Sequence, residues 1–201
     1  MPVIDWFART PSPRRESARP TVESSRAAIW RENIESLIWA VALALTIRTF
    51  IVAPFKIPSG SMRMTLIEGD RILVSKFIYR FHPPRRGDII VFRYPEDPKR
   101  SFIKRLAAVG GDTVEIKNGK VLVGSQPLDA AEAFRTGYYY NQGPYGQEGE
   151  VTRVPEDSFY VLGDNSAHSH DSRFWGMVPK RLLIGKALCI FWPVTRWRIL
   201  H

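Results

Sequence analysis

Two side chains of this sequence are of the types that together can attack a carbonyl carbon. One is Ser61, in Ile57-Pro58-Ser59-Gly60-Ser61-Met62, and the other is Lys104, in Ser101-Phe102-Ile103-Lys104-Arg105-Leu106. A serine hydroxyl is a weak nucleophile at neutral pH, so it needs a base beside it and donors for the oxyanion that its attack creates. Strand alternation puts Phe102, Lys104 and Leu106 on one face and Ile103 and Arg105 on the other. A lysine between two large apolar residues loses hydration, and burial favours its neutral form, the form that accepts a proton. At an ordinary pKa near 10.4, a neutral Lys104 at pH 7 costs about 4.6 kcal/mol. Arg105 cannot do the same work, because a guanidinium keeps its proton. Both segments also have plain structural readings: Pro-Ser-Gly-Ser is a common turn, and a strand lysine can snorkel its amine into water.

A third segment, Gly163 to Gly176, holds Asp164, Asn165, Ser166, His168, Ser169, His170, Asp171, Ser172 and Arg173 within fourteen residues. Asp171 and Arg173 read as an ion pair fixing a turn. His168 and His170, with Asp164 or Asp171, are a weak metal signal, because His-x-His lacks a further spaced cluster of ligands, and no metal is expected. Cys189, the single cysteine, excludes an internal disulfide and reads as a small core hydrophobe in an apolar run.

The elements that must position these groups are mostly strands. Residues 70–79, 88–93, 101–109, 113–117, 120–123, 158–162 and 182–192 are short runs rich in β-branched and aromatic residues, bounded by Gly, Pro and Asp. Asn118-Gly119 between two of them is a hairpin signal. No helix-period segment competes within 54–201, so a mainly β, compact antiparallel barrel or coiled sandwich is expected there. Gly137 to Glu150, with three consecutive tyrosines, reads as a long loop or ribbon without an assigned role. Residues 1–27, rich in Pro, Ser, Thr and Arg, read as a flexible tail. Leu37 to Ala53 is a seventeen-residue apolar run with one charge, Arg48, ended by Pro54. With arginines before it and Arg48 near its exit, it reads as one N-terminal transmembrane helix within 28–53, with a cytoplasmic tail. An amphipathic or buried helix and a cleavable leader are the competing readings.

Three separated motifs then match one family in order: Pro58-Ser59-Gly60-Ser61-Met62, Phe102-Ile103-Lys104-Arg105, and Gly163-Asp164-Asn165-Ser166 continuing through Ser169, Asp171-Ser172-Arg173 and Trp175-Gly176. Gly69-Asp70-Arg71-Ile72-Leu73-Val74 and Arg86-Gly87-Asp88-Ile89-Ile90-Val91-Phe92 add to them. The sequence resembles bacterial type I signal peptidase, a membrane-bound serine protease with a Ser/Lys dyad. The resemblance implies that Ser61 is the nucleophile and Lys104 the general base. It implies an oxyanion hole from the Ser59 hydroxyl and the Ser61 N–H, and an orienting role for Ser169 toward the lysine. Asp171 and Arg173 become a structural salt bridge near the site. Ile57, Pro58, Met62, Leu66, Phe102 and Ile103 become the walls of shallow apolar pockets for the small side chains that precede the cut. The implied reaction needs no cofactor and removes signal peptides from exported preproteins after a small-x-small motif. The implied setting is the cytoplasmic membrane, with residues 54–201 on its outer side, near the protein-export machinery.

Met64 departs from the proline usual after the nucleophile, which removes a preset φ angle and predicts a looser turn. The interval from Arg93 to the last motif is short for the family, so little of a large second β-domain is expected. The net charge of +9 suits anionic lipid at a bilayer surface as well as nucleic acid. The apolar run speaks against a nucleic-acid partner. Two other readings are a non-catalytic, membrane-anchored basic β-domain and a related Ser/Lys self-cleaving protein. The first has no use for Ser61, Lys104 and Ser169 together, and the second lacks a helix-turn-helix pattern.

Overall fold

The computed structural model describes residues 22–46, 48 and 51–200. A helix, α1 (Val22–Thr46), comes first. Among the described residues twelve strands follow: β1 (Val52–Lys56), β2 (Arg71–Ser75), β3 (Ile89–Arg93), β4 (Ser101–Val109), β5 (Thr113–Lys117), β6 (Lys120–Val123), β7 (Gln126–Pro127), β8 (Thr152–Arg153), β9 (Ser158–Leu162), β10 (Val178–Pro179), β11 (Leu183–Trp192) and β12 (Arg198–Ile199). Two short helices interrupt them, α2 (Glu132–Thr136) before β8 and α3 (Ser172–Trp175) after β9. Among the described residues, those from Leu45 onward form one compact unit and those from Val22 to Ala44 form another.

All strand pairs are antiparallel, as the short alternating runs require. The larger sheet has the order β1-β2-β11-β3-β4-β9-β10 with β12 on β11, and the smaller has the order β7-β6-β5-β8. Among the described residues β1 and β10 each have one strand neighbour, so the larger sheet is open, and the strands divide between two sheets in the mainly β antiparallel arrangement that was expected. Asn118-Gly119 makes the two-residue turn between β5 and β6, with φ of +52° and +74° and Lys117 opposite Lys120. Both residues must be left-handed there, which is the conformation Asn-Gly tolerates best. The core lies in three apolar clusters. Ile72, Val74, Ile89, Val91 and Ile190 form one, Ile90, Phe92, Leu106, Phe159 and Val161 a second, and Val114, Ile116, Phe134, Tyr139 and Tyr160 a third beneath the smaller sheet. Cys189, expected in the core, is only partly buried on β11.

The N-terminal expectations change most. Residues 1–21 of the expected tail lie outside the described residues, and Val22–Ala27 is helical. The apolar run lies in α1 from Leu37 to Thr46, Arg48 and Ile51 are π-helical, and β1 takes over at Val52. Residues 47, 49 and 50 of the run lie outside the described residues. Among the described residues no helix is long and apolar enough to cross a membrane.

Candidate active site

Strands β1 and β2 pair from Val52–Ser75 to Lys56–Arg71, and the loop between them carries Ser61. The ladder extends into this loop, with the Ile57 N–H donating to Asp70 O at 2.8 Å and the Gly69 N–H to Ile57 O at 2.9 Å. Ile57, Met62 and Leu66 are buried with Ile72 and Val74, so they plug the loop into the core. Of the six residues expected to line the substrate pockets, these three are buried in that cluster. Gly60–Met62 forms a single 3-10 turn that places Ser61 at the surface of this plug. The turn is closed without proline at position 64: the Thr65 and Leu66 N–H groups both donate to Met62 O, at 2.8 and 2.6 Å. The looser turn expected from Met64 is therefore not formed, and the Met64 side chain is exposed.

Strand β4 supplies the base. Its inner half, Arg105–Val109, pairs with β9, whereas among the described residues Ser101–Lys104 pairs with β3 alone. Phe102 and Leu106 pack in one apolar cluster and Ile103 in another, as strand alternation requires. Lys104 is 4 % exposed, and its Nζ lies 2.5 Å from Ser61 Oγ, which is 8 % exposed. Burial pushes the Lys104 pKa down from its ordinary 10.5 to about 8, against the opposing pull of the Asp171 and Asp164 carboxylates. Deprotonation at pH 7 then costs about 1.4 kcal/mol instead of nearly 5.

The two groups open onto a cleft of about 740 Å³ whose lining includes Pro58, Ser59, Phe102 and Ile103. Ser59 is exposed at the N-terminal edge of the Ser61 turn. His168 and His170 also line the cleft, and among the described residues no three His, Cys, Asp or Glu gather as metal ligands.

Strand β9 delivers the third motif. Asp171 caps α3 by accepting from the Arg173 N–H, and its Oδ2 accepts from the Gly163 N–H at 3.0 Å. The Arg173 guanidinium meets Asp171 twice, at 2.8 and 2.9 Å, and also donates to Tyr140 O, Ser166 Oγ and O, and Ser169 O. Both residues of this pair are fully buried, so the expected salt bridge is the post around which the loop winds. The 137–150 stretch also wraps Arg173, whose carbonyl accepts from the Tyr145 N–H. Gly163 is fixed by close approach, since a Cβ there would sit 2.0 Å from Ser169 Oγ and 2.6 Å from Ser61 O. Ser169 is buried beside the site, but its hydroxyl has no hydrogen-bond partner among the described residues, and the contact to Lys104 expected of it is not formed.

Sequence reasoning set Arg105 aside once it was excluded as a base. Its guanidinium grips Asp164 through two 2.8 Å bonds and also donates to Gly87 O and Thr65 Oγ1. An arginine on the inward side of a strand requires a buried carboxylate, and Asp164 at the end of the next paired strand was the available one. This pair ties β4 to the third motif and, through Thr65, to the loop of Ser61.

The sequence matches the signal peptidase family, peptidase S26, over residues 30–192. This chain belongs to that family. The signal peptidase I of Leptolyngbya laminosa is 42 % identical over 195 residues, covering 93 % of this chain and 92 % of that one. The probable signal peptidase I-1 of Synechocystis is 43 % identical over 174 residues, covering 83 % and 85 %. The signal peptidase I of Aquifex aeolicus is 34 % identical over 215 residues, covering 81 % and 84 %. This peptidase S26 chain is an enzyme, and its matched span takes in Ser61, Lys104 and the whole Gly163–Gly176 loop.

Proposed function

We propose that this peptidase S26 chain is a membrane-attached endopeptidase that removes signal peptides from exported preproteins, with Ser61 as nucleophile and Lys104 as general base. The observation that carries the reading is the 2.5 Å contact between Ser61 Oγ and Lys104 Nζ, two buried groups at the wall of an open cleft. Neutral Lys104 takes the hydroxyl proton as Ser61 Oγ bonds to the scissile carbonyl carbon. The oxyanion is met by the Ser61 N–H and the Ser59 hydroxyl. The Lys104 ammonium then gives its proton to the leaving amine, and the C–N bond breaks to leave an acyl-enzyme. In the second half a water loses its proton to Lys104 and attacks the ester, and Ser61 Oγ leaves with the proton that Lys104 returns.

The free edge of Ser101–Lys104 takes the substrate as an added extended strand, with Pro58, Phe102 and Ile103 offering apolar contact to the residues before the cut. Ser169, buried and unpartnered, supplies an acceptor for the ammonium that forms at Lys104 during attack. The N-terminal segment 28–53, apolar after Leu37 and preceded by arginines, attaches the enzyme to the cytoplasmic membrane. Residues 54–201 then work on its outer side, near the export machinery and anionic lipid.

The test is cleavage of a preprotein by the detergent-solubilised full chain and by its Ser61→Ala and Lys104→Ala variants. Wild type releases the mature chain and both variants lose cleavage. Full cleavage by either variant would refute the dyad. Resistance of the full chain to carbonate extraction from membranes checks the attachment.

A further inference from the structure

We infer that Asn165 is a positioning residue for the nucleophile, a double clamp that holds the backbone of the Ser61 turn. The inference rests on the proposed role of Ser61. Asn165 uses both of its donors on consecutive residues of that turn: its backbone N–H donates to Ser61 O at 3.0 Å, and its side-chain Nδ2 donates to Gly60 O at 3.0 Å. The residues are separated by 105 positions, so this is a tertiary clamp and not part of local turn chemistry.

Little else fixes these two carbonyls. Within the loop, Gly60 O also accepts from the Arg63 N–H at 3.2 Å, a longer bond. Ser59, the residue entering the turn, makes no capping bond with its side chain. Asn165 itself is anchored from two directions. Asp164, immediately before it, is locked by Arg105 and by Thr65 Oγ1, and the His168 N–H donates back to Asn165 O at 3.0 Å. The clamp therefore joins the β4–Asp164 ion pair, which lies next to Lys104 in sequence, to the backbone that carries Ser61. Serine and lysine are held in register by a route that does not pass through their own contact.

Two amide-type donors suit this task. A carboxylate at 165 keeps the size and the backbone bond but faces Gly60 O with lone pairs, whereas alanine keeps only the backbone bond. The 3-10 turn sets the direction of both Ser61 Oγ and the Ser61 N–H. Its release therefore lowers the chemical step more than substrate binding, which is made largely along β4.

The experiment compares wild type, Asn165→Ala and Asn165→Asp as full chains in detergent. Cleavage of a preprotein is read at pH 9 to 9.5, where a changed Lys104 titration has little effect, and amide hydrogen exchange is read on the segment 60–66. The clamp predicts a fall in kcat of about tenfold to a hundredfold with KM within about twofold. It also predicts faster exchange across Gly60–Leu66, with Asn165→Asp at least as affected as Asn165→Ala. Unchanged exchange overturns the clamp whatever the activity. Faster exchange with undiminished kcat also overturns it, because the contact would then be structural only. Failure of the dyad shows differently, as a wild type that does not cleave or a Ser61→Ala variant that does.

Discussion

The depressed pKa of Lys104 makes a quantitative claim about the reaction. If neutral Lys104 is the base, kcat/KM of the free enzyme follows the fraction of Lys104 without its proton. With a pKa of about 8, roughly one molecule in eleven is competent at pH 7, half at pH 8 and about nine in ten at pH 9. The rate constant should therefore rise about tenfold from pH 7 to pH 9 and level off above that. An unburied lysine at 10.5 gives a different curve, about a hundredfold rise over the same interval with no plateau before pH 10. The assay is initial-rate cleavage of a peptide spanning a signal-peptide junction by the full chain, at constant ionic strength from pH 6 to 10. Two outcomes would refute the reasoning. A flat profile removes a titrating base, and unit slope continuing past pH 9.5 means that burial does not tune Lys104.

Lys104→Met should abolish cleavage and yet stabilise the fold at neutral pH. The wild-type lysine titrates near 8 when folded and near 10.5 when unfolded, so the unfolded chain binds more protons between these values and wild-type stability rises with pH across that window. Below pH 8 the variant escapes a penalty of roughly 3 kcal/mol, and its advantage fades by about pH 10.5, which denaturant melts at pH 7 and pH 10 will read. Arg173→Met leaves the Asp171 carboxylate buried without its partner and should cost about 3–5 kcal/mol in the same melts. Unchanged stability would refute the account of this pair.

The strand runs were legible because each combines β-branched and aromatic residues with clear punctuation. The runs at 101–109, 113–117, 120–123 and 158–162 coincide with β4, β5, β6 and β9. The two-residue strands β7, β8, β10 and β12 were not legible, since two residues carry no period and exist as strands only through a neighbour's ladder. The N-terminal span shows a different failure. Composition recognised an apolar run, but composition does not fix where a helix stops, and pairing with β2 claimed Val52 and Ala53 for a strand.

The sequence by itself determined the chemical types: a serine behind a glycine, a lysine flanked by apolar residues on its own strand face, and an acidic, serine-rich loop after a strand. Residue type and local period are properties of short segments. Only the tertiary structure decided that Ser61 and Lys104 touch, that Ile57, Met62 and Leu66 are buried in the core, and that Arg105 and Asn165 hold the parts together. Each of these depends on which groups are left without water or without a hydrogen-bond partner once the sheets have packed. That is decided by the register of β4 against β3 and β9, not by any one segment.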